Sequence, residues 1–122
     1  MIPRFPVYIF DVVDYRLELA EKLGGKPISV ANGKTLAEGL KGYGVKEADI
    51  AIDTKGKKVA REGSLHSLAQ RGALILVGHG EDLNLMVSPD MIATERAVLG
   101  SEYFAYSELE NNTTYLAQNR SY

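Results

Sequence analysis

The sequence contains no cysteine, and only two of its 122 residues are histidine. Without cysteine the chain can form no disulfide, no thiol nucleophile and no thiolate site for zinc or an iron–sulfur cluster. His66 and His79 fall on different predicted elements, and neither stands in an H-x-x-x-H or mixed histidine and carboxylate spacing. We therefore expect no metal in this chain.

An excess of positive charge and a long hydrophobic segment are also missing. Lys and Arg number 14 against 16 Asp and Glu, for a formal net charge of −2. This balance argues against binding to nucleic acid or to an anionic membrane. Residues 1–10 lack a signal-peptide core, and no later run reaches the length of a membrane span. We expect a soluble, cytoplasmic protein.

The most informative stretch is residues 7–25, VYIFDVVDYRLELAEKLGG. Residues 7–11 predict a short buried strand that ends at Asp11, and residues 15–23 predict a helix that Gly24 stops. In open α/β sheets, ligands bind beyond the carboxyl ends of the strands, where a carboxylate can accept hydrogen bonds from a ribose. Asp11 is therefore a candidate ligand-binding residue.

The rest of the chain continues this alternation of strands and helices. Further strands are predicted at residues 27–31, 48–53, 73–77, 83–87 and 96–101. Further helices are predicted from residue 35 to near 42–44, at 57–70 and at 108–120, and Ser88 and Pro89 are expected to cap one or two helical turns. The run 73–77, ALILV, predicts a central parallel strand. Segment 83–87, LNLMV, follows without a helix between, which indicates a strand at an edge of the sheet or one that reaches toward a partner.

Two capping boxes and two core faces are also predicted. Thr35 with Glu38, and Ser107 with Glu110, have the three-residue spacing of capping boxes. Leucines and small residues at helical spacing predict the buried faces of the third and last helices. These core-facing positions are Leu65, Leu68, Ala69, Leu109, Thr113, Leu116 and Ala117.

In the order and the residues of its motifs, the sequence resembles the nucleotide-binding domain of the zinc-type alcohol dehydrogenases, the medium-chain dehydrogenase/reductase family. The matching pieces are VYIFDVVDYRLELAEKLGG, ADIAIDTKG, SLHSLAQRGALILVGHG and LNLMVSPDMIATERAVLGSEY. The resemblance implies a single α/β domain over residues 1–122, with a Rossmann-like, mostly parallel sheet flanked by helices. The family's first strand and its G-x-G-x-x-G turn have no counterpart, so strands 7–11 and 48–53 would face a gap. Either the halves close up, or a partner fills the gap, or the chain is part of something longer.

The resemblance also implies a set of cofactor-binding residues. Asp11 and Arg16 would contact the adenosine ribose of NAD, and the charge of Asp11 would disfavour NADP. The positions implied near the nicotinamide are Thr54, Gly78, His79, Gly100 and Ser101. Each also has an ordinary interpretation, as a turn former, an exposed helix charge or a strand-end turn. We do not expect the run GHGED, residues 78–82, to bind phosphate, because its two acidic side chains would repel a pyrophosphate.

The function implied is the NAD(H)-binding portion of a zinc-type alcohol dehydrogenase, an oxidoreductase, with no catalytic residues in this chain. A homodimer through the 83–87 edge and a separate catalytic domain are the expected partners. One alternative is a non-catalytic oligomeric or binding module derived from a Rossmann domain. A third is another Rossmann-like enzyme, such as a methyltransferase that binds S-adenosylmethionine.

Overall fold

The computed structural model describes residues 5–120, which form five strands, four α-helices and one π-helix. In chain order the elements are β1 (Tyr8–Asp11), α1 (Asp14–Lys22), β2 (Lys26–Ser29), α2 (Leu36–Gly42), β3 (Ala48–Asp53), α3 (Lys58–His66), β4 (Leu68–Leu76), the π-helix (Val87–Ile92), β5 (Ala97–Gly100) and α4 (Tyr106–Gln118). The expected α/β alternation is confirmed through β4.

The five strands form two parallel sheets. One sheet pairs β1 with β2, and the other has the order β3-β4-β5, so β4 is central as its apolar sequence predicts. Within residues 5–120, neither β1 nor β3 has a second strand partner. The two halves of the fold therefore do not close up by hydrogen bonding across the expected gap.

The core lies between α3 and one face of the three-stranded sheet. Leu65, Leu68 and Leu74 are at most 1% exposed and form its centre. Leu83, Leu85 and other partly buried apolar side chains pack against this centre. The side chains of Ala51 and Val98 also reach it, which places one face of β3, β4 and β5 against α3.

The opposite face of the same sheet is open. Because side chains alternate along a strand, Ile50 and Ile52 of β3 lie on the face away from α3. They are 65% and 57% exposed, and Leu99, which pairs with Ile75, is 52% exposed. An apolar sheet face therefore remains uncovered among the described residues.

The capping box at the start of α2 is confirmed. The hydroxyl of Thr35 accepts a hydrogen bond from Glu38 N at 3.2 Å, and Glu38 Oε2 accepts one from Thr35 N at 2.8 Å. This reciprocal pair satisfies two backbone donors that the first turn would otherwise leave unpaired.

The prediction of one helix over residues 57–70 is wrong at its C-terminal end. The helix ends at His66, and Leu68 pairs with Ala48 as the first residue of β4. Helical spacing placed Leu68 and Ala69 on the core face of the helix, but Leu68 reaches the core from the sheet. The pairing of β3 with β4 changes register between Ala48, which pairs with Leu68, and Ile50, which pairs with Ala73. The residues of β4 between Leu68 and Ala73 form this irregularity, and regular pairing begins at Ala73.

The predicted strand at 83–87 is also wrong, because no strand forms there. Leu83 and Leu85 are partly buried against the core, while Asn84 and Met86 are exposed, as the predicted alternation requires, but Val87 is 62% exposed and begins the π-helix. The amides of Asn84 and Met86 donate to the carboxylates of Glu62 and Asp90 at 3.3 and 2.7 Å. Side-chain acceptors thus take the place of a neighbouring strand.

The last helix differs from the prediction at its start and in its burial. Helix α4 begins at Tyr106, and Glu108 Oε2 accepts from Ala105 N at 3.2 Å, so Ser107 lies inside the helix and forms no capping box with Glu110. Every described residue of α4 is exposed, including those predicted to face inward.

None of the helices among the described residues is both long enough and apolar enough to span a membrane.

Candidate functional site

The side chain of Asp11 lies at the carboxyl end of β1, as predicted, and is paired with Arg16. Its Oδ1 accepts hydrogen bonds from Val12 N at 2.7 Å and Val13 N at 2.9 Å, which shape the turn into α1. Its Oδ2 lies 3.6 Å from Arg16 Nη1. The structure therefore brings together the two residues expected at the ribose, and it gives Asp11 a turn-forming role as well.

Arg16 is an exposed cation. Its Nε donates a 3.4 Å hydrogen bond to the hydroxyl of Tyr15. This bond, the electrostatic interaction with Tyr15 and the negative charge of Asp11 raise the pKa of Arg16, so the guanidinium is charged at any physiological pH. A hydroxyl group that binds to Asp11 Oδ2 has to share this carboxylate with the cation.

A second group of predicted residues lies at the carboxyl ends of β4 and β5. Gly78, His79, Gly100 and Ser101 line one open groove of about 490 Å³. Across this groove, His79 Nε2 lies 2.8 Å from Glu102 Oε1, and this bridge links the loops that follow the two strands.

Thr54, the remaining predicted residue, follows β3 and does not line the groove. Its backbone lies against Gly78, so closely that a Cβ added at Gly78 would sit 2.5 Å from the Thr54 carbonyl carbon. Thr54 therefore contacts the backbone of Gly78, which lines the groove, and does not line the groove itself.

Sequence reasoning missed a buried ion pair beneath this groove. Arg61 Nε donates to Asp53 Oδ2 at 2.9 Å, and the two side chains are 10% and 2% exposed. The guanidinium also donates to the carbonyl oxygens of Gly78 and Glu81. The signal available in the sequence was a second aspartate at a strand tip, followed eight residues later by an arginine within a helix.

The backbone also holds the carboxylate of Asp53. Burial alone would raise the pKa of Asp53, but the hydrogen bond from Arg61 and those from Gly56 N and Lys55 N together lower it below its ordinary 3.8. The two amides lie 3.1 Å from the carboxylate oxygens. Asp53 is consequently ionised at neutral pH and fixed from two sides.

The glycines of this corner permit contacts between main chains. A Cβ at Gly56 would overlap the carbonyl oxygen of His79, and a Cβ at Gly80 would overlap the carbonyl oxygen of Gly56. The amide of Glu81 donates to Gly56 O at 2.7 Å. Glycine at 78 and 80 thus serves this packing between loops.

Glu81 supplies the anion at the start of α3. Its Oε2 accepts from Lys58 N at 2.7 Å, and its Oε1 lies 3.0 Å from Lys57 Nζ. These two contacts, in that order, lower the pKa of the Glu81 carboxyl. The carboxylate of Glu81 already occupies the N-terminus of α3. A phosphate at the GHGED run therefore finds no free helix N-terminus there.

The residues fit only part of a dinucleotide and do not fit zinc. A carboxylate at a strand tip suits a ribose diol, whereas no glycine-rich strand-to-helix turn is present among residues 5–120 to hold a pyrophosphate. Within the same range no group of three or more His, Cys, Asp or Glu residues is placed to hold a metal ion.

Comparison with known proteins points to one family. The sequence profile of the family described as "Zinc-binding dehydrogenase" matches residues 5–118. A comparison with curated protein sequences gives no match.

Several solved dehydrogenases share the fold. The alcohol dehydrogenase from Aeropyrum pernix is 25% identical with a TM-score of 0.83, and the D-arabinose dehydrogenase from Sulfolobus solfataricus is 26% identical with a TM-score of 0.74. An alcohol dehydrogenase from E. coli CFT073, described as short chain and solved with NADH, is 18% identical with a TM-score of 0.78. The three alignments cover 93% of this chain and 33%, 34% and 33% of those chains, in that order. The Rossmann-like fold is confirmed, and the chain spans about a third of the length of these structures.

Proposed function

The chain belongs to the zinc-binding dehydrogenase family, and we propose that it is the NAD(H)-binding portion of an alcohol dehydrogenase. The observation that carries this proposal is the position of Asp11, whose carboxylate ends β1 beside Arg16. At the carboxyl end of a strand in a parallel α/β sheet, a carboxylate can accept hydrogen bonds from the hydroxyl groups of an adenosine ribose.

In this proposal the two predicted groups bind opposite ends of the cofactor. Asp11 accepts hydrogen bonds from the ribose, with Arg16 beside it, and its negative charge repels the additional phosphate of NADP. Gly78, His79, Gly100 and Ser101 lie along the nicotinamide, and Thr54 supports Gly78 from below. When bound, NAD supplies the hydride acceptor for oxidation of an alcohol, while these residues bind and orient it.

We further propose that this chain does not turn over substrate by itself. Among the described residues no group of three or more His, Cys, Asp or Glu is placed to hold a metal ion such as zinc. Substrate and metal would be bound by a catalytic domain outside these residues. The chain would contribute cofactor binding to that assembly.

A second candidate is a non-catalytic module that acts through association. The uncovered face with Ile50 and Ile52 favours it, because exposed apolar patches of this kind usually mark contacts with other polypeptides. A homodimer through segment 83–87 is one form of this proposal. Side chains of residues 83–86 alternate between the core and solvent, and the segment lacks a strand partner within residues 5–120, so pairing with a second copy would replace the side-chain acceptors of its amides.

Thermal melts of the purified chain with NAD, NADP and S-adenosylmethionine test the proposal. A ligand at about 100 times its dissociation constant adds roughly 2.7 kcal/mol to the free energy of unfolding, which raises the midpoint by several degrees. We expect NAD to raise the midpoint more than NADP does. A rise with S-adenosylmethionine alone would favour a methyltransferase-like protein, and no rise with any ligand would favour the module.

A further inference from the structure

The loop that bears His79 is fixed from behind by a buried cation. Arg61 projects from α3 and donates to the carbonyl oxygens of Gly78 and Glu81, the two ends of residues 78–81. We call Arg61 together with Asp53, Gly78 and Glu81 the arginine lock. The guanidinium of Arg61 lines the floor of the groove and is nearly excluded from solvent.

From this geometry we propose that Arg61 is a positioning residue for the cofactor site. It fixes the backbone of residues 78–81, and thereby the groove face formed by Gly78 and His79, in the shape that a bound nicotinamide requires. The inference rests on the proposed NAD(H) binding. It adds a role for a residue on the floor of the groove that acts through the backbone of the loop.

The planar guanidinium is suited to this role. It satisfies one carboxylate and two carbonyl oxygens at the same time, which the single ammonium group of lysine cannot reproduce in the same plane. Asp53 keeps the guanidinium in place, and Asp53 is itself held by the amides of Lys55 and Gly56. The chain of contacts therefore runs from β3 through α3 to the loop after β4.

The remaining contacts hold the loop only in part. Glu81 N donates to Gly56 O at 2.7 Å, and Gly78 N donates to Asp53 O at 3.0 Å. The carboxylate of Glu81 also accepts from Lys58 N at 2.7 Å and from the exposed ammonium group of Lys57 at 3.0 Å, so the end of the loop keeps a side-chain anchor. The side chain of His79 contributes a contact with Glu102 at 2.8 Å, and a hydrogen bond between two exposed side chains adds little stability. Loss of the lock should therefore loosen residues 78–81 before it affects the rest of the sheet.

Arg61→Lys tests this inference, with Arg71→Lys as the matched control. Arg71 is also paired with a carboxylate, because its Nε lies 2.7 Å from Glu95 Oε2. Its side chain, however, is 77% exposed, and this ion pair includes no residue of the arginine lock. The first measurement is amide hydrogen exchange of Gly78 and Glu81, compared with Leu74 in the core of β4. The second is the dissociation constant for NADH, from its fluorescence on binding.

For Arg61→Lys we expect the amides of Gly78 and Glu81 to exchange about tenfold faster while Leu74 is unchanged. We expect NADH to bind roughly tenfold more weakly, as is typical when a supporting contact behind a site is lost. Arg71→Lys should change neither quantity. If all three amides accelerate together, Arg61 serves only global stability and the inference is overturned.

The two proposals can fail separately. If the wild-type chain does not bind NADH, the proposed function fails, and the exchange of Gly78 and Glu81 still decides whether the lock fixes the loop. If the wild type binds NADH and Arg61→Lys binds it equally well, the positioning role fails alone. Should Arg61→Lys not fold, Gly80→Ala displaces the same loop from Gly56 O without touching the guanidinium, and the same two measurements apply.

Discussion

Asp53 and Arg61 form an ion pair across 2.9 Å in which the two side chains are 2% and 10% exposed. Neither charge could remain there without the other, because an unpaired charge in a dry interior is strongly disfavoured. The pair joins the tip of β3 to α3, and its remaining hydrogen bonds reach the loop after β4. The corner that forms the candidate nicotinamide groove is therefore held by electrostatics as well as by apolar packing.

Asp53→Asn should destabilise the chain by about 3–5 kcal/mol, because it leaves the charge of Arg61 buried without its counterion. The exposed neighbour Asp49 offers the matched control, Asp49→Asn, which should change the free energy of unfolding by less than about 0.5 kcal/mol. Urea unfolding at neutral pH measures both. Equal stability of the two variants would show that the charge of Arg61 can stay in this site without its counterion, which would contradict the prediction.

The same pair predicts a dependence of stability on pH. The folded-state pKa of Asp53 lies below its ordinary 3.8, so the unfolded chain takes up this proton first as the pH falls. The stability that Asp53 contributes is fully present above about pH 5 and is lost as the pH falls through 3.8 to the folded-state pKa. Urea midpoints between pH 7 and pH 3 should fall more steeply for the wild type than for Asp53→Asn. Parallel curves would contradict this prediction.

Gly56→Ala should be far more damaging than Gly44→Ala. Both glycines have left-handed backbones, with φ of 77° and 74°, so the conformational cost of alanine is the same at both sites, about 1 kcal/mol or more. Only at Gly56 would the new methyl group overlap a carbonyl oxygen, that of His79, whereas nothing lies within 4 Å at Gly44. The difference between the two urea midpoints isolates the close approach of the loops. Similar midpoints would mean that the loop moves aside at no cost.

Asp11→Asn should weaken NAD binding and reduce the preference for NAD over NADP. Asparagine keeps an oxygen that can accept from Val12 N and Val13 N, so the turn survives while the negative charge is removed. Asp14→Asn, in the first turn of α1, is the control for a charge lost nearby. Fluorescence titrations with NADH and NADPH measure both affinities. An unchanged ratio of the two affinities would remove Asp11 from cofactor choice.

Met86→Lys should abolish a homodimer that forms through segment 83–87. A two-fold interface contains the same residue from both copies, so one substitution introduces two lysines. Their like charges lie close together when the two 83–87 segments pair, and the repulsion destabilises the dimer. Met86 is 69% exposed, and Val59→Lys, at an 84% exposed position of α3, is the matched control. Sedimentation velocity gives the assembly state of each. A wild-type chain that is monomeric at all concentrations would contradict the dimer.

The uncovered sheet face should bind a hydrophobic dye such as anilinonaphthalene sulfonate. Ile52→Thr removes apolar surface at a position that is 57% exposed and retains a residue that favours strands. The dye fluorescence should fall, whereas Val59→Thr on α3 should leave it unchanged. If both variants bind dye as the wild type does, another surface is responsible.

Local sequence determined much of this protein. Apolar runs fixed β1, β3 and the central strand β4, and the spacing of Thr35 and Glu38 fixed the start of α2, because these features depend on contacts between neighbours in the chain. The position of Asp11 at a strand tip followed from the same reasoning.

Tertiary structure decided the rest, because it depends on residues that are distant in sequence. Leu68 has helical spacing, yet its pairing with Ala48 draws it into β4. Segment 83–87 has the pattern of a strand, but carboxylates of Glu62 and Asp90 take its amides instead. The role of Arg61 was hidden for the same reason, since its partners Gly78 and Glu81 lie 17 and 20 residues away and only the fold brings them to it.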